Sequence, residues 1–387
     1  MPRCDAITRR DFVHRAAALA VAPSLPVGMG IEGPGVGRTA AGSGVAVRWP
    51  GYADAMVVDF LASPGYFNYP ADPPLDASMV GNAVDSGITG VNLTVSAGAF
   101  EPTVARIARW EAEIERHPQA LQRVRSVDQL LEAKRTERLG IIYGFQDTVP
   151  MDRDLGRLQL FADLGVKVMQ LTYNVRNLVG DGCLEPANGG LSNYGREMVS
   201  RMNELGILVD LSHCGQQTTA DGIAASTGPV AISHSGCAAL EPHPRSKRDV
   251  ELRAMAEKGG VVGIYLMPFL TPGRVPTAED VLDHIEHALD VCGEDHVGIG
   301  SDLSVTPIDG SDEYWARHRE FVSRRVAQGI AAPAEDPNFL FTVPDLNSPR
   351  RMELIADGLA GRGHPSARIE KVLGGNWLRL FREVWKS

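Results

Sequence analysis

Two histidines and one aspartate stand where a metal site would put them. His213 follows the apolar run Ile207-Leu208-Val209-Asp210-Leu211, and His234 follows Pro229-Val230-Ala231-Ile232. Asp302 follows a third run, Val297-Gly298-Ile299-Gly300. Neutral imidazole is the commonest protein ligand for metal ions, and a carboxylate adds the negative charge that imidazole lacks. Side chains at the carboxyl ends of successive parallel strands converge on one mouth of an α/β barrel. One such residue alone would be read as a strand cap. Three on separate β-like runs are read as a site, with room for one zinc ion and one water.

Such a site needs a scaffold of alternating strands and helices. Apolar runs fall at Met56–Leu61, Gly90–Val95, Gly140–Phe145, Val166–Leu171, Ile207–Leu211, Val230–Ser233, Gly260–Leu266 and Val297–Gly300. Amphipathic helical patterns lie between them, at Thr103–Glu115, Val127–Arg135, Tyr194–Leu205, Val250–Lys258 and Ala278–Val291. Repeated strand–helix units predict a (β/α)8 TIM barrel. Residues 303–350 are polar and Pro-rich, and read as an insertion after the last strand that covers the barrel mouth. The stretch Arg368–Trp385 reads as an amphipathic helix on the barrel exterior. Residues 48–387 are therefore expected to form one domain.

Residues 1–47 are expected to stand apart. Thr8-Arg9-Arg10-Asp11-Phe12-Val13 followed by a short apolar stretch is a twin-arginine export pattern, too short to span a bilayer. It predicts a periplasmic or secreted protein without a stable membrane span. The net charge of −10 gives no basic footprint for nucleic acid. The five cysteines, Cys4, Cys183, Cys214, Cys237 and Cys292, lack zinc-finger spacing, and a disulfide among them stays open. His284 and His287 read as exterior helix positions, His318 as loop or surface, and Arg176 and Asn177 as candidates for the pocket wall.

Longer motifs carry a family resemblance. Gln170-Leu171-Thr172-Tyr173-Asn174, Gly189-Gly190-Leu191-Ser192, Asp210-Leu211-Ser212-His213, Ser233-His234-Ser235, His243-Pro244-Arg245 and Gly374-Gly375-Asn376-Trp377 resemble the membrane (renal) dipeptidases, peptidase family M19. The resemblance implies a zinc hydrolase of dipeptides, often dimeric. It assigns Arg245 to the substrate carboxylate, with Tyr173 and Asn174 beside it in substrate binding. It also places Tyr173 at the family's oxyanion-stabilising His.

Three positions depart from the family pattern. Its first-strand Asp-x-His-x-Asp falls on Asp59-Phe60-Leu61-Ala62-Ser63, so Leu61 and Ser63 replace two ligands. Its bridging Glu falls on Gln146, whose neutral amide cannot bridge two cations. Two close zinc ions would be under-compensated. The surviving ligand set is His213, His234 and Asp302, with Gln146 as a further candidate. Asp302 doubles as a candidate general base, and Tyr173 as an oxyanion donor. Asp59 reads as a structural strand residue.

The expectation is thus a dipeptidase-like metallohydrolase with one metal, acting on a small carboxylate-bearing substrate. Zinc is the first candidate; another divalent ion, or none, is the alternative. The competing readings are a tailoring enzyme with non-peptidase chemistry on an exported metabolite, and a non-catalytic ligand-binding homologue.

Overall fold

Eight short parallel strands close on themselves. They are β1 (Val58–Asp59), β2 (Gly90–Thr94), β3 (Leu139–Phe145), β4 (Val166–Gln170), β5 (Leu208–Asp210), β6 (Ala231–Ser235), β7 (Val261–Ile264) and β8 (Val297–Ile299). Each pairs in parallel with the next, and β8 returns to β1 through Asp59 and Ile299. The computed structural model describes residues 48–65 and 73–386. The twin-arginine pattern and Cys4 lie outside the described residues. Residues 46–387 group as one compact unit. No helix among the described residues is long and apolar enough to cross a membrane.

The expected barrel is therefore present, with adjustments that have local causes. Leu121–Val124 adds a ninth strand outside the ring, paired to the first half of β3. Its sequence, Leu-Gln-Arg-Val, is too polar to register as an apolar run. At the register shift between Tyr143 and Gly144, β3 passes from this outer strand to β4. Helices start where side chains satisfy free backbone N–H groups. Ser126 Oγ accepts from Gln129 N, and Ser192 Oγ accepts from Gly195 N. The Asn193–Leu205 helix ends on Gly206 at φ 68°, where a Cβ would also meet the backbone N of Lys386 at 2.8 Å.

Two apolar clusters divide the core. One joins the strands to the surrounding helices. The other contains Val58, Ile142, Val168, Leu208, Ala231 and Val261 together with Trp377, Leu380 and Phe381. The C-terminal helix, Asn376–Val384, thus closes the barrel end opposite the histidines, rather than lying on the exterior as its amphipathic pattern suggested. Its aromatic face enters the barrel: Trp377 Nε1 donates to Ile299 O at 3.2 Å, and the Phe60 and Trp377 rings are 4.2 Å apart. Gly298 makes the room, since a Cβ there would stand 2.4 Å from Trp377 Nε1.

Asp59 has the structural role expected of it. It is buried and accepts from Ser301 N at 2.7 Å and Ser301 Oγ at 2.6 Å, stitching the first strand to the last. Arg351 Nη1 reaches the same Ser301 hydroxyl at 3.3 Å. Two histidines read as surface positions are buried. His284 Nδ1 accepts from Cys237 N at 3.0 Å, and His318 lies on the inner face of the Asp312–Ala327 helix. Cys183, Cys214, Cys237 and Cys292 are all free thiols.

Truncating the plug tests this closure. Trp377→Ala removes a fully buried indole and one of the two hydrogen bonds to the Ile299 carbonyl, so it should cost about 3–5 kcal/mol in urea unfolding. A loss within the range of ordinary surface substitutions would mean the helix does not hold the barrel shut.

Candidate active site

The site lies at the carboxyl ends of the strands, around a cavity of about 430 Å³. Glycine shapes its deepest part. A Cβ on Gly263 or Gly300 would sit 2.1 or 1.9 Å from Ser233 O. The next two strands, β7 and β8, are thus bare beside Ser233, and the β6 register shifts between Ile232 and Ser235, at His234. Asp302 follows β8 at φ 59°, a left-handed conformation that Asp tolerates better than most residues. Its N–H donates to Leu61 O at 2.9 Å, tying the ends of the first and last strands.

His213 and His234 are brought together. Their Nε2 atoms are 2.9 Å apart, and both rings are buried. The opposite ring nitrogens are held. Asn174 Nδ2 donates to Ile330 O at 2.8 Å, which orients the amide with Oδ1 toward His213. That oxygen lies 2.6 Å from His213 Nδ1, which must then be the donor. His234 Nδ1 lies 2.8 Å from Ser233 Oγ. Ser233 Oγ and Ser212 Oγ both donate to Asp210, at 2.5 and 2.6 Å. Burial raises the Asp210 pKa, but its carboxylate also accepts from Ser212 N and Ser233 N, and these four hydrogen bonds favour the ionised form, against which Ser233 can only accept from His234 Nδ1–H. Both Nε2 lone pairs then face each other across 2.9 Å. Lone pairs that close repel unless a cation lies between them. Burial, reinforced by Arg245, holds both histidines well below their ordinary pKa, which disfavours a proton as that cation.

Each imidazole is thus oriented by an outer hydrogen bond, as the imidazoles of a metal site are. Leu61, Ala62 and Ser63 form the adjoining wall, and Gln146 lines the cavity without a carboxylate to offer. Among the described residues, no three His, Cys, Asp or Glu groups converge as a metal cage. Asp302 lines the same cavity, where burial pushes its pKa up to about 7 against the pull of Arg245 and Arg325.

The remaining candidates surround this pair. The Tyr173 ring stacks on His213, with centroids 4.2 Å apart. Its hydroxyl accepts from Arg325 Nη1 at 2.9 Å, leaving its own proton free to donate. Burial raises its pKa, so the phenol stays protonated at neutral pH. Arg245 is buried and donates to Ser212 O at 2.9 Å; among the described residues it pairs with no carboxylate. Tyr265 lies beneath it, 5.9 Å from guanidinium to ring centre, with a buried hydroxyl that finds no well-placed hydrogen-bond partner among the described residues. Asn174, expected to bind substrate, borders the cavity and also orients His213.

Other expectations shift. Arg176 and Asn177 do not line the cavity. Arg176 pairs with Asp181 at 2.6 Å, and Asn177 donates to Leu171 O at 2.9 Å, bracing their own loop. Sequence reasoning missed Arg325, Glu335, Phe321 and Phe341, which the segment after β8 brings over the mouth. Arg325 reads locally as one of two basic residues closing a helix, and nothing nearby distinguishes it from a solvated partner of the helix dipole. Asp147, whose pKa burial also raises, was equally silent.

The Asp302 environment makes a pH-dependent prediction. Its pKa in the fold, about 7, stands above the ordinary 3.8. The fold therefore favours the protonated form, and stability is lost as pH rises through 7. In metal-free protein, Asp302→Asn should raise the melting temperature little near about pH 4 and most above about pH 8. Equal shifts at both pH values would show that Asp302 ionises normally.

Comparison with known proteins agrees with this architecture. The family model for membrane dipeptidase (peptidase family M19) matches residues 74–314. An amidohydrolase of known structure from Pseudomonas aeruginosa is 32% identical, with a TM-score of 0.74 over 86% of this chain and 98% of that one. Dipeptidase verJ of Clonostachys rogersoniana is 36% identical over 49% of this chain and 50% of its own length. Dipeptidase tcpJ of Claviceps purpurea is 28% identical over 74% of this chain and 60% of its own. The chain thus spans only about half to three fifths of these two relatives. Because the family match takes in well over half of its residues, the chain belongs to the membrane dipeptidase family, peptidase family M19.

Proposed function

We propose that this protein is a dipeptidase-like metallohydrolase with one metal ion in place of two. Its substrate would be a dipeptide or a small amide-bonded amino-acid derivative with a free carboxylate. The observation that carries this reading is the convergence of His213 and His234 through Nε2, each with Nδ1 already committed. Zinc is the family's usual ion. When bound there it would acidify a water and polarise the scissile carbonyl.

The chain's own residues do the rest. Arg245 offers a planar fork to the substrate carboxylate. It is buried, so the attraction is little screened, and Tyr265 places a spare hydroxyl beneath it. Tyr173 donates its phenolic proton to the oxygen on which charge develops. Asp302, ionised above pH 7, serves as third ligand or as acceptor of the attacking water's proton. Phe269, Phe321 and Phe341 wall the cavity and exclude water. The missing ligands at Leu61, Ser63 and Gln146 favour a second reading, in which the same scaffold performs non-peptidase chemistry on a metabolite. We further propose export by the twin-arginine pathway, on Arg9 and Arg10; Arg9→Lys with Arg10→Lys should leave the protein in the cytoplasm in a fractionation experiment.

Metal content decides first. Elemental mass spectrometry of protein purified without chelator should find one zinc per chain, lost in His213→Ala. Two zincs would overturn the single-ion reading. Given hydrolysis of a dipeptide or N-acyl amino acid, Arg245→Ala should lower kcat/KM by roughly 10–100-fold, from the loss of a charged, bidentate contact. The same variant should leave hydrolysis of a carboxyl-amidated substrate nearly unchanged. A zinc-loaded protein that hydrolyses neither class would shift the weight to the second reading.

A further inference from the structure

The segment after β8 does more than roof the cavity. Residues 330–335 cross the mouth as a strap, and two site residues grip its backbone. Asn174 Nδ2 donates to Ile330 O at 2.8 Å, while its Oδ1 holds His213 Nδ1 at 2.6 Å. His243 shows the same arrangement. Its Nδ1 accepts from Arg245 N at 3.2 Å, so Nε2 carries the proton and donates to Pro333 O at 2.9 Å. Each residue has one end on the strap and the other on a working group. Inside the strap, Glu335 accepts from Ala332 N at 2.8 Å and pairs with Arg325 through two contacts of 2.5 and 2.7 Å. Arg325 in turn reaches Tyr173.

We propose that Asn174 and His243 are positioning residues that make strap closure and the setting of His213 and Arg245 a single event. The strap is then a gate sensed by the site, and loading of the histidine pair closes it. An amide that loses Ile330 O is free to rotate, and His213 Nδ1 loses its fixed acceptor. A loop that loses Pro333 O frees the His243 ring, and with it the acceptor of Arg245 N. Linkage requires the reverse as well: whatever fixes His213 must stabilise the closed strap by the same factor. The inference about loading rests on the single-ion reading above.

Two variants separate the ends of the latch. Asn174→Asp keeps an oxygen for His213 Nδ1–H but replaces the donor to Ile330 O with a repelling oxygen. Glu335→Gln loosens the strap without touching His213 or Asn174. Hydrogen exchange of residues 328–336 would be measured with and without zinc, and zinc affinity by competition with a chromophoric chelator. In the wild type, zinc should slow exchange of the strap. In Asn174→Asp the strap should exchange faster, and zinc should bind without slowing it. Glu335→Gln should weaken zinc binding by roughly fivefold or more, the low end of ordinary allosteric coupling, and should have no such effect in the Asn174→Asp background. Equal slowing by zinc in wild type and Asn174→Asp would overturn the proposal, as would a full Glu335→Gln effect in both backgrounds. If the wild type takes no zinc, the single-ion reading fails. Unchanged strap exchange in zinc-free Asn174→Asp would then overturn the latch independently.

Discussion

Two imidazole nitrogens facing each other across 2.9 Å are the constraint around which this molecule is arranged. Such an approach costs energy if both carry lone pairs, and the surrounding residues remove the easy escapes. Asn174 holds one ring and the Ser233–Asp210 network holds the other. Burial and the Arg245 charge oppose protonation. Gly263 and Gly300 give the histidine strand room to sit where it does. Remove any of these and the pair can rotate, separate or take up a proton. Together they hold an electron-rich pocket that suits a cation.

Charge balance then limits how many cations. The cavity has Arg245 and Arg325 on one side, with Glu335 already committed to Arg325. Asp302 is the acid nearest in role to a ligand, and burial makes even its ionisation reluctant. A second divalent ion would need a histidine where Leu61 stands and carboxylates where Ser63 and Gln146 stand. The same positive surroundings would favour an anionic ligand, since Arg245 pairs with no carboxylate among the described residues. Under the proposed single-ion reading, the absent ligands and the placement of Arg245 would belong to one electrostatic arrangement.

The two ends of the barrel serve opposite needs. At the closed end, Trp377, Leu380 and Phe381 fill the interior and give the fold a packed, apolar base. At the open end, polar contacts to the carbonyls of Ile330 and Pro333 add to the apolar packing of Ala332 and Phe341. Hydrogen bonds of this kind contribute little net stability each, so they can break and re-form. A rigid base and a reversible roof suit an enclosed cavity that must still exchange its contents.

Much of this was legible in the order of residues. Eight apolar runs separated by helical patterns predicted the barrel, because strand and helix periodicities are local properties of the chain. His213, His234, Asp302, Tyr173 and Arg245 were legible because barrel topology gathers strand ends at one face. The outer strand Leu121–Val124 was not legible, since its polar faces carry no apolar signal. The C-terminal helix showed its apolar face but not which surface that face would meet. Asn174 illustrates the limit most clearly. Its amide could face substrate, backbone or ligand, and only the arrival of Ile330 from 156 positions away turns its oxygen toward His213. Arg325 and Glu335 reach the cavity in the same way. The sequence by itself determined the fold and the donor types. Which donors face each other, and what orients them, was decided by tertiary structure, because hydrogen-bond direction depends on partners that local sequence does not contain.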